Sequence, residues 1–394
     1  MSTLKGVRVL DVSTIIASPF AAGLMADFGA EVIKIEMPKK GDPFRGLGPY
    51  HKGEGVRWAS MGRNKKCITL DLHYDEGKNI FLELVAKSDL IFENFRVGTL
   101  DKWGLDMETL KKANPNIIVV RITGYGQSGP YKDKSGFGTP ATAFSGMTYI
   151  TGHEDRPPVS PSFSLADYIA GLYAAMSAMM ALYHRDALNG KGQEVDVSLY
   201  EGIFRMQEIL VADYTLNHNI RERKPSLSGT SSPGGTFETK DGKWIVLVCS
   251  TDKTFEYLTN AMNRRDLLEK YVKNRERLAA DDYLNGLVKD WVASINYKEM
   301  HKIADEEGVP ANLIYSIEDI MNDPHYQARK NIITMPHKLF GEISMPGVTP
   351  IFSETPGEVK WAGPELGEHT NNILKELLEK SDDEITSLKE KGII

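Results

Sequence analysis

Cysteine is scarce in this chain of 394 residues, which contains only Cys67 and Cys249. The two lie far apart, and neither has a partner at the spacing of a zinc site. This pattern disfavours a disulfide-stapled secreted scaffold and favours the reducing cytoplasm. The first residues, MSTLKGVRVLDVS, contain no basic stretch followed by an apolar one, so we expect no signal peptide.

Several common catalytic motifs are also missing from the sequence. It has no Gly-rich loop ending in Lys-Ser or Lys-Thr, no H-E-x-x-H and no G-x-S-x-G. GYGQSG (124–129) does match the dinucleotide fingerprint and follows a strand-like segment. However, Pro130 stands where that fingerprint requires a helix to open, so we interpret the motif as a flexible loop at the carboxyl edge of a sheet.

The charge balance gives no sign of two further classes of partner. The net charge is −7, and residues of both signs are interspersed along the chain, which does not indicate binding to nucleic acid or to a membrane surface. A hydrophobic fraction of 41% is typical of a globular protein. Because 394 residues exceed one ordinary core, we expect two domains or a large domain with a satellite.

Strand-like and helix-like segments alternate over the first 125 residues. The strand-like segments lie at 7–12, 31–36, 67–72, 89–94 and 117–123, and the helical segments at 18–29, 75–88 and 99–114. Strands separated by helices predict an α/β fold built on a mainly parallel, doubly wound sheet. Further along, TFETKDGKWIVLVCS predicts a hairpin whose turn is Asp241-Gly242.

A run of sixteen uncharged residues, 168–183, follows a single acid, Asp167. The run is shorter than a membrane span usually needs and predicts a helix buried inside the protein. Asp167 has two interpretations. As an N-cap, it would stabilise the helix by ~1 kcal/mol. As a nucleophile, it would use the positive helix end in a water-poor site to attack an activated acyl group.

Basic residues collect in the first third of the chain. They are Lys34, Lys39, Lys40, Arg45, Arg63, Lys65, Lys66, Arg96 and Lys102. Several follow predicted strands, where open α/β sheets bind ligands, so they form either a solvated rim or a site for a phosphate-bearing ligand.

Eight blocks spread over nearly the whole chain resemble the class III CoA transferases, a family that includes formyl-CoA transferase and crotonobetainyl-CoA:carnitine CoA-transferase. The blocks are GVRVLDVS, GAEVIKIE, NKKCITLDL, DLIFENFRVGTLDKWGL, ITGYGQSGPY, SLADYIAGLYAA, GKGQEVDVSLYEG and LGEHTNNILKELL. The resemblance implies a cytoplasmic enzyme that moves CoA from an acyl-CoA to a small carboxylic acid. Asp167 would be the nucleophile, forming an acyl-aspartyl anhydride and then an aspartyl-CoA thioester. No metal and no tightly bound cofactor is implied, because CoA arrives as part of the substrates.

The resemblance also implies a CoA site. The positions it assigns are Ile16, Ala17, Leu70, His73, Asn94, Phe95, Arg96, Lys102 and Thr139. Met37 and His73 replace an Arg and a Lys of formyl-CoA transferase, so Lys39 or Lys40 is expected to hold the nucleotide end instead. Thr139 stands roughly where that enzyme has a catalytic Glu.

The implied architecture is an interlocked homodimer of two-domain chains. A large Rossmann-like domain would cover 1–218, completed by 331–394, and a linker with a small α+β domain would cover 219–330. The loop at 227–235 is either a lid over the intermediate or an interdomain linker.

The alternatives are an α-methylacyl-CoA racemase of the same fold and an inert CoA-binding protein. A racemase needs a second acid–base group, which in that branch is a histidine in the loop after GYGQSGP. Here Phe137 and Gly138 occupy that place, and the next histidine is His153. This difference favours the transferase.

Overall fold

A computed structural model of the chain describes residues 2–224 and 230–394. Within them the strands β1 to β13 are Arg8–Asp11, Glu31–Glu36, Tyr50–His51, Glu54–Gly55, Lys65–Thr69, Leu90–Glu93, Ile118–Thr123, Glu194–Ser198, Gly234–Glu238, Trp244–Val248, Ala311–Leu313, Ile332–His337 and Gly341–Pro346. The helices α1 to α18 are Ala17–Asp27, Arg57–Met61, Asp75–Ala86, Thr99–Lys102, Met107–Ala113, Gly138–Phe144, Leu165–Ala187, Glu201–Met206, Glu208–Asn217, Asp252–Ala261, Arg265–Lys270, Asn274–Ala279, Asp281–Ala293, Tyr297–Glu307, Ile317–Asn322, Pro324–Ala328, Thr370–Glu376 and Asp382–Glu390. Residues 227–229 of the expected lid or linker lie outside the described residues.

One six-stranded sheet organises the first part of the chain. Its strand order is β5-β2-β1-β6-β7-β8, and every neighbouring pair is parallel. The predicted α/β fold with a large parallel sheet is therefore confirmed. The order reverses between β1 and β6, and ligands of such sheets bind outside the carboxyl ends of the strands at this switch point.

Helices cover both faces of the sheet, which is why its strands are apolar along their length. Every residue of β7 is buried. Successive residues of β1 point to opposite faces: Val9 packs in a cluster with α1 and α7, whereas Leu10 packs with α3 and the C-terminal helices α17 and α18. The C-terminal helices α17 and α18 thus pack in the cluster on the Leu10 face of the sheet.

The helix α7 buries one face rather than its whole surface. Its buried residues recur every four positions as Ala166, Ala170, Ala174 and Ala178, which is one face of a helix. Small residues let α7 approach α1 closely, since a Cβ added at Gly171 would lie 2.7 Å from the carbonyl oxygen of Ala17. In the isolated chain, the expected burial of this helix therefore holds for one face.

The opposite face of α7 is apolar and exposed, at Leu172, Met176, Met179, Met180 and Tyr183. By length and composition, α7 is the one helix of the described residues that could cross a membrane, although its alanine face packs in the core cluster of the parallel sheet. Core helices of globular proteins pass the same test of length and composition.

Two compact units are present. The first contains residues up to Met147, Ser160–Asn217 and His325–Ile394, and the second contains Thr148–Val159 and His218–Pro324. The second unit is built on the antiparallel sheet β11-β10-β9, whose β9–β10 hairpin was predicted and turns through Gly242 at a φ of 75°.

The observed division differs from the expected one mainly in Thr148–Val159, which the sequence assigned to the large domain. The Tyr149 hydroxyl donates a hydrogen bond to Glu222 over 2.6 Å, and Arg223 donates one to the Tyr149 carbonyl over 3.1 Å. These long-range contacts place the segment in the second unit. The hairpin β12–β13, in the first unit, was not predicted.

Candidate active site

Asp167 lies in the first turn of α7, three residues after the N-cap residue Ser164. It is therefore not the N-cap, and the capping interpretation is wrong. The carboxylate is partly buried and accepts a hydrogen bond from its own backbone N–H. Desolvation raises the pKa of Asp167 to about 6 and outweighs this hydrogen bond. The carboxylate is still mainly ionised at pH 7, but it is poorly hydrated.

The first residue of α6 presses against that carboxylate. A Cβ added at Gly138 would lie 1.8 Å from Oδ2 of Asp167, a distance that no real contact allows. Only a glycine lets the backbone approach the acid this closely. Gly138 is thus a site residue whose contact the sequence could not show, because it brings together segments 29 positions apart.

A cavity of about 650 Å³ lies beside the first turn of α7, entirely within the first unit, and Asp167 itself is not one of its lining residues. Thr139 and Tyr168, which directly follow Gly138 and Asp167 in the chain, line part of it together with Ser164, and Ile16 and Phe20 line another part. The rings of Phe20 and Tyr168 meet edge to face, with centroids 4.9 Å apart. Among the predicted CoA positions, Ile16 and Thr139 therefore belong to this cavity, and Ala17 is buried beside it.

Asn94 joins the two loops at the switch point of the sheet. Its side-chain oxygen accepts a hydrogen bond from the Thr14 N–H over 2.9 Å, and its side-chain nitrogen donates to the Thr14 carbonyl over 2.7 Å. The next residue, Ile15, has a φ of 70°, which is costly for a β-branched side chain. The Asp42 carboxylate accepts a hydrogen bond from its N–H over 3.1 Å and stabilises this conformation.

A second cavity of about 200 Å³ lies at the same edge and brings together Leu70, His73 and Phe95, three of the predicted CoA positions. Met37 and Lys40 also line it. Trp103 contacts the rings of both His73 and Phe95, at centroid distances of 4.9 and 5.1 Å. The sequence did not single out Trp103; its only signal is its position directly after Lys102 in a predicted helix.

Two of the basic residues are not available to any ligand. Lys34 and Lys65 are fully buried, and Nζ of Lys65 lies 2.9 Å from the Asp11 carboxylate. Nζ of Lys34 lies 3.1 Å from the carboxylate of Asp42. Burial disfavours the charge of Lys34, but Asp11, Asp42 and Glu36 outweigh it and hold its pKa above the ordinary value. The expectation that these lysines belong to a rim or phosphate site is therefore wrong, since both charges are neutralised inside the fold.

The remaining basic residues divide into paired and unpaired ones. Arg45, Arg63 and Lys66 form ion pairs with Glu36, Asp27 and Glu31. Within the described parts of the chain, no acidic partner is found for Lys39, Lys40, Arg96 and Lys102, which are all exposed. These four remain candidates for binding phosphate groups.

Gly124 and Gly126 of GYGQSG are needed for the backbone conformation of the loop. Gly124 crosses Gly136 so closely that a Cβ on it would lie 2.5 Å from the Gly136 Cα, and Gly126 has a φ of 86°. The Gln127 N–H donates to the Asp196 carboxylate over 2.8 Å. The interpretation of this motif as a loop rather than a dinucleotide site is confirmed, because no helix opens at Gly129.

Residues 4–370 match the model of a family described as CoA-transferase family III. The chain belongs to this family. It is 43% identical to the succinyl-CoA–L-malate CoA-transferase beta subunit of Chloroflexus aurantiacus, over 99% of this chain and 98% of the relative. It is 32% identical to the succinyl-CoA:glutarate CoA-transferase of Homo sapiens, over 99% and 90% of the two chains. The resemblance read from the sequence blocks is confirmed, and the protein is a CoA-transferase.

A solved structure supports the fold of this CoA-transferase. A CAIB/BAIF family protein from Brucella suis superposes with a TM-score of 0.84 at 29% identity, covering 95% of this chain and 99% of the other.

Proposed function

We propose that this transferase moves CoA from an acyl-CoA donor to a carboxylic acid through covalent intermediates on Asp167. The observation that carries the proposal is the position of that carboxylate, which is partly buried in the first turn of α7 against Gly138 and directly precedes Tyr168, a residue of the cavity wall. An oxyanion with little hydration loses little solvent when it attacks, which makes it a better nucleophile than an exposed aspartate.

The proposed reaction begins when an Asp167 oxygen attacks the thioester carbon of the donor. A carbon–oxygen bond forms, the carbon–sulfur bond breaks, and CoA thiolate leaves an acyl-aspartyl anhydride. The thiolate then attacks the Asp167 carbonyl carbon, which releases the donor acid as its carboxylate and forms an aspartyl-CoA thioester. The acceptor carboxylate attacks the same carbon and expels the thiolate again. Attack of that thiolate on the acceptor acyl carbon gives the new acyl-CoA and restores Asp167.

The two cavities suggest how CoA would bind. The smaller one, lined by Met37, His73, Phe95 and Trp103, offers flat and apolar surfaces for the adenine ring. The exposed cations Lys39, Lys40, Arg96 and Lys102 lie in the segments that line or flank it and would bind the phosphates. The thioester end would then reach the larger cavity beside Asp167.

The relatives suggest the class of acid. Their names specify succinyl-CoA with malate or glutarate, which are short dicarboxylic acids. We infer that the donor and acceptor of this chain belong to the same class.

We also propose that the enzyme is a homodimer. No residue of α9 is buried in the isolated chain, although its sequence contains Ile209, Val211 and Leu216. Together with the exposed face of α7, this helix presents an apolar surface of the kind that soluble proteins cover with a partner.

The decisive experiment incubates the protein with succinyl-CoA and measures its intact mass. The wild type should gain a hydroxylamine-sensitive adduct on Asp167, and Asp167→Asn should form none. Transfer by this variant should fall at least ~1000-fold, because an amide cannot act as the nucleophile. Circular dichroism controls for folding.

Two outcomes would favour the alternatives instead. If α-hydrogens of an acyl-CoA exchange with deuterated water without any acceptor acid, the racemase is favoured. If the wild type binds CoA but gives neither adduct nor transfer with any acid, the inert binding protein is favoured. Full transfer by Asp167→Asn contradicts the proposal outright.

A further inference from the structure

Among the residues that the structure describes, the larger cavity contains one cation whose charge is not neutralised. Two arginines line it, Arg57 at the start of α2 and Arg63 just after that helix. The Arg63 guanidinium is held by the Asp27 carboxylate at 2.5 and 3.1 Å and also donates to the Pro346 carbonyl. The charges of Arg63 and Asp27 therefore neutralise each other, and neither side chain is free to bind a charged substrate.

Arg57 differs from Arg63. Among the described residues, no carboxylate lies within ion-pair distance of its guanidinium, which lies 5.9 Å from the ring centroid of Phe44, another residue of the cavity wall. An arginine left unpaired at the wall of a cavity is suited to bind a carboxylate through two parallel hydrogen bonds. Arg57 thus gives the cavity a net positive site.

Tyr168 lines the cavity together with Arg57 and directly follows Asp167 in α7. Burial raises the pKa of the Tyr168 hydroxyl, while Arg57 lowers it and Asp167 raises it. Both charged groups therefore lie within electrostatic reach of the same hydroxyl, although neither pairs with the other. A substrate attached at Asp167 could extend past Tyr168 toward Arg57.

We propose that Arg57 binds the distal carboxylate of a dicarboxylic substrate and thereby sets the preference of this enzyme for dicarboxylic over monocarboxylic acids. The inference rests on the proposed function, since it assumes that the reacting carboxyl group is joined to Asp167. Ser60, Ser162 and Ser164 line the same cavity and provide hydroxyl donors for the remaining oxygens.

The competing assignment is that Arg57 binds the phosphates of CoA. The positions of the two cavities argue against it, because Arg57 lines only the larger one and the aromatic pocket is lined by other residues. The two assignments also differ in their kinetics. A phosphate ligand would affect every CoA ester equally, whereas a carboxylate ligand would affect only the dicarboxylic ones.

The test compares matched substrates that differ in the distal carboxylate. Succinyl-CoA and butyryl-CoA serve as donors, and succinate and butyrate as acceptors, with the wild type, Arg57→Leu and Arg57→Lys. In Arg57→Leu, kcat/KM for the dicarboxylic substrates should fall by about 10- to 100-fold, mainly through KM, whereas the values for the butyryl substrates stay within about threefold. Arg57→Lys should restore part of the loss, because it keeps the charge but not the paired geometry.

Arg275→Leu is the matched control, because Arg275 is an exposed arginine of the second unit outside both cavities. This variant should leave the preference for succinyl-CoA over butyryl-CoA and for succinate over butyrate unchanged. If Arg57→Leu reduces succinyl and butyryl transfer equally, or retains the preference for succinate, the inference is wrong. Failure of the proposed function is a separate result, since the wild type would then form no aspartyl adduct with either donor.

Discussion

At the scale of single residues, the main feature is Asp167, an acid whose partly buried position disfavours its ionised form. Burial raises the pKa of Asp167 to about 6, so the ionised form is less stable in the folded protein than in the unfolded chain. Such a cost at the proposed nucleophile is the usual trade between stability and activity. Lys65 and Asp11 show the opposite case, because there two buried charges neutralise each other.

This difference predicts how stability depends on pH. A raised pKa in the folded state means that the stabilising contribution of protonated Asp167 is complete below the unfolded pKa, near 3.8, and is lost as the pH rises through about 6. Asp167→Asn has no such loss. Its free energy of unfolding, relative to the wild type, should therefore rise by about 1 kcal/mol between pH 5 and pH 8.

Urea denaturation of both proteins at pH 5 and pH 8 measures this quantity. A difference that stays constant over this range, or that shrinks as the pH rises, contradicts the burial of the charged carboxylate.

At the scale of secondary-structure elements, the site depends on how closely α6 approaches α7. Gly138 begins α6, and the Asp167 carboxylate occupies the space that any side chain at position 138 would need. The same requirement for closeness explains the alanine face of α7 and the crossing of Gly124 with Gly136. Small residues at these places define distances between elements rather than the elements themselves.

Substituting Gly138→Ala should therefore displace the Asp167 carboxylate while leaving the fold intact. Alanine is well tolerated at the start of a helix. The atom with which its Cβ would clash is Oδ2 of Asp167, which is the movable end of a side chain. Transfer activity should fall by about 100-fold, since a displacement of ~1 Å is enough to misalign a nucleophile.

Steady-state kinetics and thermal unfolding of this variant provide the check, with Gly286→Ala as the matched control. Gly286 lies within α13 with nothing near its Cβ position, so that variant should keep full activity and gain about 0.5–1 kcal/mol of stability. Full activity in Gly138→Ala would mean that the close contact has no part in catalysis.

At the scale of the whole molecule, the isolated chain leaves apolar helices uncovered. α9 buries none of its residues, and Met180 on α7 is 61% exposed. An isolated helix of ten residues has little stability of its own in water, so its order requires packing against another surface. A second copy of the chain is the partner that we propose.

The variant Met180→Glu tests this surface directly. A charge in an apolar interface cannot be buried without a large desolvation cost, so the dimer should dissociate. Size-exclusion chromatography with light scattering should find the wild type at twice the chain mass of 43.9 kDa and the variant at that mass. Ile317→Glu, at a side chain that is 73% exposed in the second unit, should leave the dimer unchanged. A wild type that is monomeric, or a variant that remains dimeric, contradicts the proposal.

The sequence by itself determined the alternation of strands and helices in the first unit, because a period of two or of 3.6 residues is a local property. It also indicated Asp167, since one acid before a long uncharged run is visible without any contact. Where elements end was less clear: the predicted helix at 99–114 is two helices, α4 and α5, separated at Gly104. The hairpin β12–β13 was missed because its half-exposed strands carry only a weak apolar pattern.

Only the tertiary structure decided which charges are available to a ligand. Lys34, Arg57, Arg63 and Lys65 look alike in sequence, yet two are buried in ion pairs, one is paired with Asp27, and one faces the cavity unpaired. The partners of a charge come from distant segments, and its effective strength depends on burial. For the same reason, the contact between Gly138 and Asp167 follows from the packing of two helices and from no local pattern in the chain.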